Sequence, residues 1–476
     1  MTNEGEKTKM SLDNTFCRFD VIEQALRDVR AVYFAGIGGV SMATLAEMTL
    51  HRGISVAGSD PVASETTERL RRMGARIYPQ HDAAQLDGCA ALIYTNALQP
   101  DNPEYLAARA QGIPCFSRAD YLGYLMRSYP HRIGVAGTHG KSTVTAMLAT
   151  IFGAAGWNPT VAAGAAFGAE HRACRIGQGE DFIFEACEYR DSFLCLYPTT
   201  AVLLNAEWDH VDYFPTPQAI EASFASFVSR ATAYAVLNAD MPAFAEMRAA
   251  ACAEVRDFSA EGGAAYLTVG DVLPDRRGSH YTVACEGALV RGYLPLPGRH
   301  NLIDAAAALT VARCHGIPLI DAATALATFH GADRRCEYLG KTERGCIIYS
   351  DYAHHPTEIR ASLGALRGHV PGKLICVFQS HTYSRTARLL DDMAAALREA
   401  DHVVVMDIYA AREQNTFGVS GETLARAVGE RAVYLSGFAA TADYIDRQGG
   451  VDDAVVLMGA GDILRLLPLL RDPPRP

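Results

Sequence analysis

Short apolar runs recur along this chain, each closed by glycine or a polar residue and followed by a stretch at helical spacing. "AVYFAGIGG" (31–39) leads into "VSMATLAEMTLHRG", and "IGVAGTHGKS" leads into "TVTAMLATIFGAAG". "ISVAGSD" (54–60), "AALIYTNAL" (90–98), "DFIFEA" (181–186), "TTAVLLN" (199–205) and "AYAVLNAD" (233–240) repeat the theme. "CIIYSD" (346–351), "KLICVFQS" (373–380), "HVVVMDIY" (402–409) and "AVVLMGAG" (454–461) continue it. Strands that alternate with helices are joined by crossovers, so they build parallel, doubly wound sheets. Between about 255 and 297 the pattern shifts to short strands and turns, which predicts an antiparallel meander within the second unit. "GRHNLIDAAAALTVARCHG" (298–316) predicts an Ala-rich helix after a Gly-Arg turn. "SYPHR" (128–132) reads as a linker, and the tail "RDPPRP" as frayed.

A chain of 476 residues exceeds one hydrophobic core, and at roughly 100–200 residues per domain about three are expected. With 43 basic and 54 acidic residues the net charge is −11. Such a balance argues against a nucleic-acid surface, which needs a basic field. The twelve Cys form no C-x-x-C pair and read as reduced thiols. The polar N-terminus "MTNEGEKTKMSLDN" resembles neither a secretory signal nor a transit peptide. No apolar run approaches the ~18 residues that span a bilayer. The expectation is a cytoplasmic protein without membrane or nucleic-acid partners, a monomer or weak homodimer.

The loop "GVAGTHGKST" (134–143) carries the sharpest chemical signal. Strict Walker A spacing wants Gly at 135, where Val135 stands. Yet Gly137, Thr138, His139, Gly140, Lys141, Ser142 and Thr143 follow a strand and open a helix. Glycines let N–H groups converge on phosphate, and the helix N-terminus adds positive potential. Lys141 would reach the terminal phosphates and the Ser142 hydroxyl would ligate Mg²⁺. The bland alternative is a tight strand-to-helix turn. Glu185 closes the strand "DFIFE", with Glu188 three residues on, and "NAEWDH" delivers Asp209 and His210 to the same sheet edge. Ligands collect at the carboxyl ends of such strands. Ser142, Glu185 and His210 would make a plausible Mg²⁺ shell, although His is an unusual Mg²⁺ ligand and chemistry alone leaves His210 open.

"GIGGVS" (36–41) is similar to G-x-G-x-x-G with Ser41 in the last place, and Asp60 ends the next strand where a ribose-binding acid would sit. Gly36, Gly38 and Gly39 thus point to a pyrophosphate ligand, NAD or a UDP-sugar equally; a packing turn is the alternative. In the last third "SDYAHHPTEIR" (350–360) follows a strand. Adjacent His do not share a helix face, and no third residue has zinc spacing. Pro356 marks a helix start with Glu358 in its first turn. "HTYSRTARL" (381–389) offers Arg385 and Arg388, a pair able to clamp a carboxylate or phosphate, or else a solvated helix face.

Taken in order, G-T-H-G-K-S, E-A-C-E, D-H, G-R-H-N, D-Y-A-H-H-P and H-T-Y-S-R-T resemble the Mur ligases over about residues 31–462. That family uses the short G-x-x-G-K-[ST] loop, which accounts for Val135. The resemblance implies three α/β domains. They would be a Rossmann-like UDP-sugar domain at 1–129, a central P-loop ATPase-like domain at 130–331 and a C-terminal Rossmann-like domain at 332–476. The central sheet would be mostly parallel with a small antiparallel part. The implied reaction is ATP-dependent ligation of L-alanine to the lactyl carboxylate of UDP-N-acetylmuramate through an acyl phosphate, in peptidoglycan precursor synthesis. A recycling ligase that adds a preformed tripeptide to the same sugar nucleotide is the nearest rival; a nicotinamide dehydrogenase or a non-catalytic ATP-dependent regulator would be different classes.

By that resemblance Gly137 to Thr143 bind ATP phosphates, Ser142 holds one Mg²⁺, and Glu185 with His210 holds another. Asn301 looks like the adenine-binding Asn, and Asp351 would face the ATP ribose. Tyr352, His354, Arg385 and Arg388 would surround the alanine and the lactyl carboxylate, with Lys141, His354 and the two Arg catalytic. Gly36, Gly38, Gly39, Asp60 and Asn96 would hold the UDP part. The chain departs from the family pattern at Cys187, where Asp is common, at Thr95-Asn96 in place of Ser-Ser, and at Asp304, where a second Asn is common.

Overall fold

A computed structural model describes residues 12–471 apart from 13, 17, 18, 28, 30, 87, 212, 276, 277 and 412. The first eleven residues, and the tail after Arg471 that the sequence marks as frayed, lie outside the described residues.

Three sheets form, each from one stretch of chain. The first contains β1 (Ala31–Ala35), β2 (Ser55–Ser59), β3 (Arg76–Tyr78), β4 (Ala91–Tyr94) and β5 (Cys115–Ser117), in the order β3-β2-β1-β4-β5. All its pairings are parallel. The second has ten strands: β6 (His131–Ala136), β7 (Thr160–Phe167), β8 (Arg172–Arg175), β9 (Asp181–Glu185), β10 (Thr200–Leu203), β11 (Tyr234–Asn238), β12 (Glu254–Ser259), β13 (Leu267–Pro274), β14 (Ser279–Cys285) and β15 (Ala288–Leu294). Their order is β15-β14-β13-β12-β11-β10-β6-β9-β7-β8. The third contains β16 (Glu337–Lys341), β17 (Ile347–Asp351), β18 (Leu374–Phe378), β19 (His402–Val405), β20 (Ala432–Tyr434) and β21 (Ala454–Met458), in the order β16-β17-β21-β18-β19-β20.

Two sequence expectations shift. The meander expected from about 255 begins later: β12 is parallel to both β11 and β13, and antiparallel pairing starts at Leu267↔Cys285. β12 lies inside the sheet between β11 and β13, and a strand's own residue pattern does not fix whether its neighbours run parallel or antiparallel. The "SYPHR" linker is also shorter than expected, because His131 and Arg132 already pair with Asp181 and Phe182.

Parallel strands are buried on both faces. In β6, Ile133 and Val135 pack on the side of the helices Lys141–Ala154 and Arg299–Cys314. Ala136, Phe182, Phe184 and Leu203 face the other way, in a core continuous with that of the first sheet. Val135 is fully buried, so it is a strand residue. A Cβ on Gly134 would stand 2.7 Å from the Phe184 ring, which is why that position too is set by packing. No helix among the described residues is long and apolar enough to cross a membrane.

Candidate active site

The phosphate loop leaves the carboxyl end of β6 and opens the helix Lys141–Ala154. Gly137 and Gly140 have φ of 146° and 83°, values that L side chains rarely adopt. A Cβ at Gly140 would also meet the Asp304 carboxyl at 2.5 Å. The loop is tied to the next strand end by His139 N donating to Asn205 Oδ1 (2.9 Å) and by the Thr138 hydroxyl donating to the Glu207 carbonyl (2.9 Å).

Lys141 is nearly buried and turns back on the loop. Its Nζ donates to the carbonyls of Gly137 and Thr138 and lies 3.0 Å from Glu188. Glu188 is 1% exposed. Burial lowers the Lys141 pKa, but the Glu188 charge outweighs it and the net shift is upward. The same pairing holds Glu188 below the usual carboxylate range against its own burial. The ammonium is therefore fixed as a cation at the place where terminal phosphates of a nucleotide would arrive.

One strand over, Glu185 accepts from the Ser142 hydroxyl (2.7 Å) and from Gly164 N (2.8 Å). A hydroxyl and a carboxylate joined in this way form a hard-oxygen donor pair of the kind Mg²⁺ takes. His210 is held elsewhere: its Nε2 lies 3.2 Å from Glu188 Oε1, and it makes no ion pair with Glu185. Burial pulls the His210 pKa down, and Asp209 with Glu188 more than reverses this. The structure thus brings Ser142 to Glu185 and aligns Lys141, Glu188 and His210 as a separate charged chain.

The third sheet docks over this edge. His355 caps the helix Pro356–Arg367 in a capping box with Glu358, as Pro356 and Glu358 predicted from sequence. Glu358 reaches His139 (3.1 Å), and the Thr357 hydroxyl donates to Glu207 (2.6 Å). Burial acts to lower the His139 pKa, but Glu358 and Glu207 override it and raise it to about 9. His354 Nδ1 lies 3.0 Å from the Tyr352 carbonyl, and burial pushes its pKa down to about 4. Arg385 binds Asp209 at 3.1 Å; Arg385 overcomes the burial of Asp209 and holds that carboxyl well below its ordinary range.

One cavity is lined by the loop and a second lies beside Asp209 and His210. The first runs from His139, Gly140 and Thr143 past Met241 and Pro242 to Asn301, Asp304 and Asp351. Asn301 donates to the Pro297 carbonyl (2.6 Å), and Asp351 accepts from Ala353 N (2.7 Å) and Cys336 N (2.8 Å). Asp304 is 6% exposed, and burial pushes its carboxyl up to about 8. The other cavity lies where all three sheets meet, lined by Asn96, Arg118, Tyr189, His210, His381 and Arg385. A smaller recess joins Gly39 and Arg118 to Gly164 and Glu185.

Several expected residues have structural work of their own. Gly38 N donates to Asp60 (2.9 Å), and Asp60 also accepts from Val62 N (2.9 Å), so this acid braces the glycine turn. Gly36 N bonds the Ser59 carbonyl (2.9 Å). Asn96 donates to Asn14 (3.1 Å). Tyr352 stacks under the guanidinium groups of Arg334 and Arg335. Arg388 reaches across to the Val211 carbonyl (2.5 Å), which makes it a brace between the second and third sheets. Two residues were passed over in the sequence reading. Glu188 lay inside the quoted E-A-C-E without a role. Arg118 opens the helix after β5, and the rule that flags strand carboxyl ends applies to it equally.

Comparison with known proteins agrees with this geometry. Three family models match in sequence: the Mur ligase family catalytic domain over residues 31–130, the Mur ligase middle domain over 135–312, and the Mur ligase glutamate ligase domain over 334–461. A UDP-N-acetylmuramate–L-alanine ligase of Agathobacter rectalis is 37% identical over 442 residues, 91% of this chain and 96% of the relative. Among solved structures, the UDP-N-acetylmuramate–alanine ligase MurC of Thermotoga maritima superposes with a TM-score of 0.78 at 25% identity, covering 92% of this chain and 98% of that one. A murein peptide ligase of Psychrobacter arcticus shares the fold, with a TM-score of 0.71 at 23% identity over 94% of this chain and all (100%) of that one. The chain belongs to the Mur ligase family. It is an amide-forming ligase that uses ATP.

Proposed function

We propose that this chain joins L-alanine to the lactyl carboxylate of UDP-N-acetylmuramate, in peptidoglycan precursor synthesis. One observation carries the reading. A cavity receives one cationic group from each of the three domains, Arg118, His210 and Arg385, and Glu188 links its His210 to Lys141 of the loop. An anionic acceptor and an anionic donor must meet there, and only fixed positive charge makes that meeting favourable.

The γ-phosphoryl of ATP passes to a carboxylate oxygen, giving an acyl phosphate and ADP. The amine then attacks the acyl carbon, and the tetrahedral intermediate collapses to the amide and phosphate. Lys141 leaves Glu188 and takes the terminal phosphates, with the Gly137–Thr143 backbone cradling them. Asn301, Asp304 and Asp351 bound the base and ribose. Gly36, Gly38, Gly39, Asp60 and Asn96 shape the sugar-nucleotide end, with Arg118 on its anionic groups. Arg385 positions the carboxylate. His354 directs Nδ1 at a carbonyl, so that Nδ1 carries the proton and Nε2 is left able to accept one from the incoming amine. Ser142 and Glu185 would hold Mg²⁺, and His210 would join them only on turning away from Glu188; when bound, the ion would neutralise phosphoryl charge. Arg388 holds the third domain against the second, and Tyr352 stacks on Arg334 and Arg335 within the third. The working units are 1–129, 130–331 and 332–476, and the ATP requirement and free thiols suit the cytoplasm.

The test is phosphate release with UDP-N-acetylmuramate, ATP and Mg²⁺ against a panel of amines. L-alanine should stimulate release strongly. Stimulation by the tripeptide and not by L-alanine would replace this reading with the recycling ligase.

A further inference from the structure

The opposite end of the central sheet carries a second constellation. His131 is the first residue of β6 and Asp181 the first of β9, and the two are register partners on adjacent parallel strands. His131 Nδ1 lies 3.2 Å from Asp181 Oδ1. His315, which ends the helix Arg299–Cys314, stands edge-on to His131 with ring centroids 5.8 Å apart. One ligating atom from each of the three lies within 4.8 Å of the other two. Thr200, a fully buried residue at the start of β10, bonds His315 Nε2 at 3.0 Å and fixes that ring.

We propose that His131, Asp181 and His315 form a divalent transition-metal site, of Zn²⁺ type, that braces the base of the central sheet. Two imidazoles and one carboxylate suit Zn²⁺ or Co²⁺, with a fourth position left to water, and they do not suit Mg²⁺. The Asp181 side chain is 5% exposed and its recorded partner is a single imidazole. Burying a carboxylate with so little compensation is costly, and a metal supplies the missing charge. His131 is 46% exposed at its side chain, so its ring can close on an ion without disturbing the core. A Thr200 bond to the ring of His315 is the kind of outer contact that orients a ligating His.

The site is separate from the phosphate loop. Five residues of β6, 132–136, lie between His131 and Gly137, roughly 20 Å at a strand's ~3.3 Å per residue. It joins two strand starts to a helix end far apart in sequence, so its role is to stabilise the central domain rather than to take part in turnover.

Co²⁺ is the probe. The full chain, saturated with ATP and excess Mg²⁺ to fill the catalytic site, is titrated with Co²⁺ and read by visible absorption. One equivalent should bind with the intense bands of a four-coordinate N/O site. His131→Ala, an exposed substitution with little folding risk, and Asp181→Asn should each weaken that binding at least tenfold. Neither should change phosphate release. A hundredfold excess of Zn²⁺ over its dissociation constant should raise the Tm of the unaltered chain by several degrees and leave His131→Ala unmoved. Co²⁺ binding that survives in both variants, or that is lost only in His355→Ala, overturns the proposal. The latter result would place the ion in the His139, Glu207 and His355 cluster beside the loop.

Discussion

Replacing Asp304 by Asn keeps the shape of the side chain and removes its proton. In the folded chain this carboxyl is almost wholly buried beside Gly140, and the structure records no hydrogen bond from it to another described residue. Burial outweighs the attraction of Arg335 and His139 and pushes the pKa up to about 8, from 3.8 in the free acid. Between those values the unfolded chain has lost the proton and the folded chain has kept it. Stability therefore falls as pH rises through this window, by about 1.4 kcal/mol per pH unit, and the fall ends near the folded pKa. At pH 7 the deficit reaches an upper bound of about 4 kcal/mol, from roughly three units at that slope. Asp304→Asn should be the more stable protein at neutral pH, with an advantage that shrinks toward zero near pH 4. Both Trp residues of the chain, Trp157 and Trp208, lie in the 130–331 unit. Urea unfolding followed by Trp fluorescence thus reports on the domain that contains Asp304. The midpoint difference should widen from pH 4.5 to 8. A difference that stays flat across that range, or a variant less stable at pH 7.5, would refute the reasoning.

Lys141→Ala should reduce ligase turnover by at least a thousandfold while UDP-N-acetylmuramate binding, measured by calorimetry, changes little, because the proposed sugar-nucleotide site lies on another domain. Gly164→Ala places a methyl group 2.5 Å from Glu185 Oε2; the carboxylate must move off Ser142, so the Mg²⁺ concentration for half-maximal activity should rise about 10–100-fold. Arg385→Ala leaves the buried Asp209 with only the 4.0 Å contact to His210 in compensation, and breaking such a buried pair costs up to about 3–5 kcal/mol. Small-angle scattering should show the third domain released from the second, whereas an unchanged profile would mean that other contacts suffice. His139, raised to about 9, contributes stability that is full below 6.5 and is lost as pH climbs toward 9, and His139→Gln should flatten the thermal-unfolding profile over that interval.

What the sequence made legible was whatever a single strand and its following turn determine. The three sheets, the loop at Gly137–Ser142 and the capped helix at Pro356 all follow from local pattern: apolar runs, glycine where φ must be positive, proline at a first turn. Pairing between distant segments left no such mark. Nothing near Glu188 announces that it will neutralise Lys141, since both acids of E-A-C-E look alike until β6 and β9 are placed side by side. Arg388 is as cationic as Arg385, yet one turn of helix sends it to a carbonyl of the second domain instead of the cavity. Asp60 ends its strand where a ligand-binding acid belongs, and the structure uses it to hold the Gly38 N–H. In each case the residue type was correctly expected at a strand's carboxyl end, and its partner was fixed by tertiary geometry. The pairs that resulted share one consequence. Lys141 with Glu188 and Arg385 with Asp209 are buried charges that satisfy one another. In the proposed reaction each cation would leave its carboxylate for a substrate anion, which avoids the roughly 3–5 kcal/mol cost of a buried charge without a partner. Neutral replacement of Glu188 by Gln should therefore free Lys141, tighten ATP binding and slow product release.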